Sequence, residues 1–218
     1  MMNLAEYRRT ATRLADFLPW AALAGSGVVL NKDGSLQRTA RFRGPDLDSA
    51  VPAELVAVAG RLNNAFRRLG SGWAIFVEAQ RHGIGAYPAS VFPDPASALV
   101  DAERKADFEE ETAHFESSYF LTVTYLPPAE DAARAENWLY EGKAERSVDP
   151  HEVLRFFVDR TDRVLQLIEN FMPECAWLDD AETLTYLHSC VSTKRHRVRA
   201  PETPMYLDAL LADQPLTG

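Results

Sequence analysis

Asp33-Gly34 sits between two runs of strand-forming residues, Val28-Val29-Leu30 before it and Leu36 to Phe42 after it. An Asp-Gly pair in that setting is a strong hairpin signal, because glycine takes positive φ without steric cost. A hairpin over residues 28–43 commits the chain to an antiparallel sheet, and such a sheet must bury at least one face under other elements. Along the second strand Leu36, Arg38, Ala40 and Phe42 alternate with Gln37, Thr39 and Arg41. One face is thus apolar and the other polar and basic, so one side of the sheet is expected to be wet.

The remaining elements follow from periodicity and punctuation. Leu55, Leu62, Phe66 and Leu69 recur at helical spacing, which predicts a helix from about Asp48 to Leu69, ended by Gly70-Ser71-Gly72. A strand about 73–80 places Trp73, Ile75 and Val77 on one face. The segment from Arg81 to Pro95 reads as a loop, and Ala96 to Phe115 as an acidic helix with a solvated face. A strand about 118–126 is aromatic and β-branched, and Pro127-Pro128 stops it. Asp149 is expected to cap a helix opening at Pro150, with Leu154, Phe157, Val164, Ile168 and Phe171 as its apolar stripe. Asp179 and Asp180 open another helix holding Leu184, Leu187 and Val191, and a short apolar helix runs from Tyr206 to Leu211. The order predicts an α+β fold: a mainly antiparallel or mixed sheet with helices packed on one face.

Charge and composition narrow the function classes. Acids outnumber bases 32 to 23, a net charge of −9, which disfavours nucleic acid as a partner for the chain as a whole. Phe17 to Leu30 is uncharged, but as a helix it would reach only about 21 Å against a hydrocarbon core of roughly 30 Å. Pro19, Gly25 and Gly27 would break it, so no membrane span is expected, and Asp16 and Pro19 argue against a secretory leader. Cys175 and Cys190 form no Cys-x-x-Cys pair; they read as two reduced, buried thiols in a reducing cytosol, with a disulfide or a two-cysteine metal site as alternatives.

No catalytic constellation emerges. The only Gly-Lys pair, Gly142-Lys143, is followed by Ala144 and lacks the upstream glycine of a phosphate loop. Cys175-Ala176-Trp177-Leu178-Asp179-Asp180 resembles an apolar strand ending in a magnesium-binding acid, but reads more simply as two acids at a helix N-terminus. The five histidines form no His-x-x-x-His pair; His114 reads as a surface ion pair with Glu109 to Glu111, and His188 as a hydrogen-bonded core histidine. No serine or cysteine sits on a nucleophile elbow. Accordingly no catalytic, cofactor-binding or metal-ligating residue is assigned. Two segments stand out as contact candidates. Lys194, Arg195, Arg197 and Arg199 form a basic run that fits a partner or nucleic-acid contact, the latter with Arg38 and Arg41, or an edge strand guarded against aggregation. Phe17, Leu18 and Trp20 fit either a core plug or a docking point for an inner-membrane partner.

Ordered stretches along the chain resemble one family. Asn31-Lys32-Asp33-Gly34-Ser35-Leu36-Gln37-Arg38-Thr39 and Phe42-Arg43-Gly44-Pro45-Asp46-Leu47-Asp48 are similar to the opening of the TrbE conjugal-transfer ATPases. So are Gly70-Ser71-Gly72-Trp73, His114-Phe115-Glu116-Ser117, Tyr125-Leu126-Pro127-Pro128 and the run from Trp177 through His188 to Val198. These belong to the CagE/TrbE/VirB group of type IV secretion proteins. The resemblance implies an oligomeric ATPase on the cytoplasmic side, peripheral at the inner membrane, that energises pilus assembly and substrate transfer. Residues 1–218 would be its N-terminal non-catalytic domain, or the first part of one, contacting inner-membrane and channel subunits and further copies of itself. ATP and magnesium would belong to the full-length family's motor, with no cofactor held by these residues.

Overall fold

The computed structural model describes residues 13–48, 50–110, 114–128 and 150–212. Its centre is β3 (Leu36–Arg43), which has neighbours on both edges. β2 (Val28–Asn31) folds onto the first half of β3 through the Asp33-Gly34 turn, where Gly34 has φ +82° and Asp33 Oδ1 accepts from the Ser35 N–H at 2.9 Å. The other edge takes β5 (His114–Tyr125), from Leu36 opposite Tyr125 to Phe42 opposite Tyr119. β4 (Trp73–Ile84) pairs along the whole of β5 and forms the rim of the sheet. Two strands were not anticipated. β1 (Trp20–Gly25) extends the sheet beyond β2, and β6 (Glu174–Trp177) pairs with Ala40 to Arg43 where β2 leaves off. Every described pairing is antiparallel, so the expected α+β class holds in its antiparallel form.

Beyond α1 (Leu14–Phe17), the helices pack where alternation sends the apolar side chains. α2 (Pro52–Phe66) and α4 (Pro150–Glu169) cover one face, burying Ala65, Leu69, Val164 and Ile168 against Leu121 and Val123. Phe157 of α4 fills the space between Val28, Leu30 and Leu36 and stacks on Trp73 at 5.6 Å. α5 (Asp180–Ser189) and α6 (Leu207–Ala212) lie on the other face with Val29, Leu178, Leu184 and Leu187. Helices therefore flank both faces, which differs from the expected one-sided packing. The supposedly wet face is dry at its middle: Thr39 is fully buried and its hydroxyl bonds that of Thr122 at 2.9 Å. Satisfying the hydroxyls internally lets a polar position tolerate cover.

Two boundaries also differ. The acidic helix α3 is Pro95–Glu110, and the chain is already extended at His114, so Phe115 belongs to β5. Arg81 to Ile84, expected as loop, are the end of β4, because Ile84 and Gly83 find cross-strand partners in His114 and Phe115. Pairing across the sheet overrides local preference here. α2 begins at Pro52 rather than Asp48, and the expected cap Asp149 lies outside the described residues.

Candidate functional site: a basic cleft on the α5 face

β6 leads directly into α5 through a reciprocal cap. Asp179 accepts from the Glu182 N–H at 2.7 Å while Glu182 accepts from the Asp179 N–H at 3.1 Å. Asp180 accepts from the Gly27 N–H at 2.7 Å, tying the β1–β2 turn to the same helix end. The two acids thus organise a helix N-terminus, as the simpler sequence reading has it.

α5 then lays Tyr186 across the sheet. Its hydroxyl donates to Glu78 Oε2 at 2.8 Å and its ring rests on Phe120 at 4.6 Å. Burial pushes the Tyr186 phenol well up, so it remains a protonated donor to that carboxylate. Beside it Gln80 Nε2 donates to Glu78 Oε1 and to Ser189 Oγ, both at 2.9 Å. The Gln80 carbonyl oxygen in turn accepts from Arg195 at 2.6 Å. Three residues on, the Val198 N–H donates to Thr185 Oγ1 at 2.9 Å, and the Val198 side chain is buried with Leu184 and Leu187. These two anchors strap the basic run across α5.

The strap encloses a cleft of about 420 Å³, with Lys194, Arg195, His196 and Arg197 on one side and Arg41, Ser118, Phe120 and Glu182 among the residues opposite. Arg195 spends its bond on a neutral amide. Arg41 faces Glu182 at 3.8 Å with its own side chain largely in solvent and that of Glu182 partly so, a weak pair. Lys194 and Arg197 make no ion pair among the described residues. Among the described residues four permanent cations therefore share a single lining carboxylate, in a chain of net charge −9. Such a concentration of donors attracts carboxylate or phosphate oxygens.

The other contact candidates separate. Residues 194–199 are not a strand, so the guarded-edge reading falls: Val198 is held by a helix side chain rather than by a ladder. Arg199 is exposed and does not line the cleft. Arg38 is removed from any nucleic-acid set. Its guanidinium lies under Trp177 at 4.4 Å and donates to Asp162 at 2.6 Å, on the opposite face. Leu18 and Trp20 are core residues, while Phe17 is 68% exposed, so the plug reading holds for the first two only.

Sequence reasoning did not identify Gln80, Ser118, Glu182 or Ser189. The available signal was weak: polar residues at period two along β4, Glu78 and Gln80, facing Phe120 and Ser118 across the ladder. His188 is buried beneath this region with His196 edge-on at 4.4 Å. Its Nε2 has no hydrogen-bond partner among the described residues, where the sequence led to the expectation of one, and burial, then His196, lowers its pKa. Both cysteines are free thiols; Cys175 is half-buried, which pushes it up to about 11, whereas Cys190 is exposed at the end of α5 instead of buried. No cluster of metal-ligating side chains occurs among the described residues, and no described helix is long and apolar enough to cross a membrane.

Residues 27–133 match the model of the type IV secretion system ATPase VirB4/TrbE N-terminal domain. The conjugal transfer protein TrbE of Rhizobium radiobacter is 35% identical over 97% of this chain and 28% of its own length. The first part of a probable conjugal transfer protein TrbE of Sinorhizobium fredii is 40% identical over 66% of this chain and 99% of its own length. The chain belongs to the VirB4/TrbE family of type IV secretion ATPases and corresponds to its N-terminal domain. It spans little more than a quarter of the longer relative.

Proposed function

We propose that these residues form a non-catalytic docking and assembly module of a conjugal-transfer ATPase, peripheral at the inner membrane. In this reading the module seats the ATPase against channel subunits and neighbouring copies, while nucleotide is bound and hydrolysed elsewhere in the protein. The observation that supports it is the basic cleft: four cations around one lining carboxylate, strapped across the sheet by Gln80 and Thr185. The exposed first half of α2, including Leu55 and Val56, adds apolar contact area.

Crosslinking of the 218-residue chain to the small inner-membrane subunits of its own transfer system tests the role. Contacts that weaken when Lys194 and Arg197 are both changed to Gln support it. A chain that contacts neither those subunits nor the remainder of the ATPase refutes it. Convergence of Arg41 with the basic run also serves the rival reading, a nucleic-acid-binding module. Salt-sensitive retention of single-stranded DNA, abolished by the same two changes, would establish that reading instead.

A further inference from the structure

α3 has no buried residue along its 16 positions. Helices of this length draw most of their stability from tertiary packing, and here that packing is confined to one side, where Phe108 meets the rings of Tyr87 and His114; the rest of the helix is open to a partner. Leu99 and Val100 are open to solvent, and five acids outweigh Arg104 and Lys105. Two of the five are engaged within the chain. Asp101 accepts from the Tyr87 hydroxyl at 2.7 Å, and Glu109 lies 3.7 Å from Lys105. The other three, Glu103, Asp107 and Glu110, make no ion pair among the described residues. Their spacing of four and then three residues aligns them as one stripe about 10 Å long.

The complement of that stripe is present on the same molecule, and the two do not meet. The cleft of Arg41, Lys194, Arg195 and Arg197 has an excess of three positive charges over its single carboxylate. No described salt bridge joins it to α3. We propose that the acidic stripe Glu103–Asp107–Glu110 of one copy docks into the basic cleft of a second copy, a head-to-tail contact between unlike surfaces. This rests on the docking role above and assigns the cleft's occupant. A heterologous contact of this kind repeats from copy to copy, closing into a ring if the rotation allows.

Sedimentation of the 218-residue chain at about 0.05 M and about 0.5 M salt reads the contact, since the ions screen exposed charges strongly at the higher value. The native chain is expected to associate with rising concentration at low salt and to lose that association at high salt. One variant neutralises the cleft (Arg41→Gln, Lys194→Gln, Arg197→Gln) and another the stripe (Glu103→Gln, Asp107→Asn, Glu110→Gln). Each substituted side chain is exposed, so folding is expected to survive, and circular dichroism checks it. Alone, each variant is expected to be monomeric. Mixed in equal amounts, they retain one intact cleft and one intact stripe between them, and should give a heterodimer and nothing larger. A native chain monomeric at both salts, association that survives either neutralisation, or a mixture that stays monomeric overturns the proposal. Single-stranded DNA held by the native chain and released by the cleft variant also overturns it. A monomeric chain that still crosslinks to channel subunits refutes this contact alone and leaves the docking role standing.

Discussion

Gly27 and Gly70 share a left-handed backbone, with φ +64° and +80°, but not a neighbourhood. Among the described residues a Cβ on Gly70 would meet nothing within 4 Å, whereas one on Gly27 would run into the carbonyl oxygen of Leu178. Gly70→Ala therefore reports the conformational penalty alone, roughly 1–2 kcal/mol. Gly27→Ala carries the same penalty and also forces the β1–β2 turn away from the start of α5. The bond from the Gly27 N–H to Asp180 is lost with it, and a hydrogen bond to a charged group contributes about 1.5–3 kcal/mol. The expected loss is about 3–5 kcal/mol, a large share of the 5–15 kcal/mol typical of a folded domain. Urea denaturation of the two variants decides the matter, because a lower midpoint at unchanged slope isolates stability. Equal losses for Gly27→Ala and Gly70→Ala would refute the claim that the turn is pinned against Leu178.

Phe157→Ala should destabilise by about 3–5 kcal/mol, since the ring is fully buried and stacked on Trp73; thermal melting measures it, and a loss under about 1 kcal/mol would remove Phe157 from the core. Stability should fall as pH drops below about 6.5. The pKa of His188 is lowered in the folded state, so its contribution is whole above the unfolded value and lost as pH falls through the folded one. His188→Gln should flatten that acid limb in urea titrations; an unchanged limb contradicts the assignment. Alkylation of Cys175 by iodoacetamide at about pH 8 should run roughly 100-fold slower than that of a free thiol, because burial raises its pKa to about 11. Peptide mass mapping over time reads the rate, and a rate equal to that of a model thiol refutes the burial.

What was legible in the sequence was local. The Asp33-Gly34 turn, the stripe of α4 and the acids that open α5 each declare themselves within a few residues. β1 did not, because Trp20 to Gly25 shows no alternation, and the Ser26-Gly27 turn that joins it to β2 therefore had no recognisable strand on its near side. β6 is four residues long and was visible only as an apolar prelude to Asp179. The second covered face depends on where α5 lands, which no local pattern encodes. The cleft was half legible. Lys194 to Arg197 stood out by charge, but Gln80, which anchors Arg195, lies 115 residues earlier in the chain. A single acceptor of that kind carries no periodic or compositional mark.

β3 receives its last neighbour late. Ala40 to Arg43 wait for Glu174 to Trp177, which emerge from the ribosome some 130 residues afterwards. During synthesis, at roughly 5–20 residues per second, that half-edge stays open for several seconds while β2 already occupies the half beside it. A nascent chain halted short of Trp177 would hold a groomed hairpin next to a bare row of amides and carbonyls, a ready template for mispairing. The sheet is thus completed by one late stitch, and synonymous codons that pause translation between β5 and β6 prolong the exposure of that half-edge.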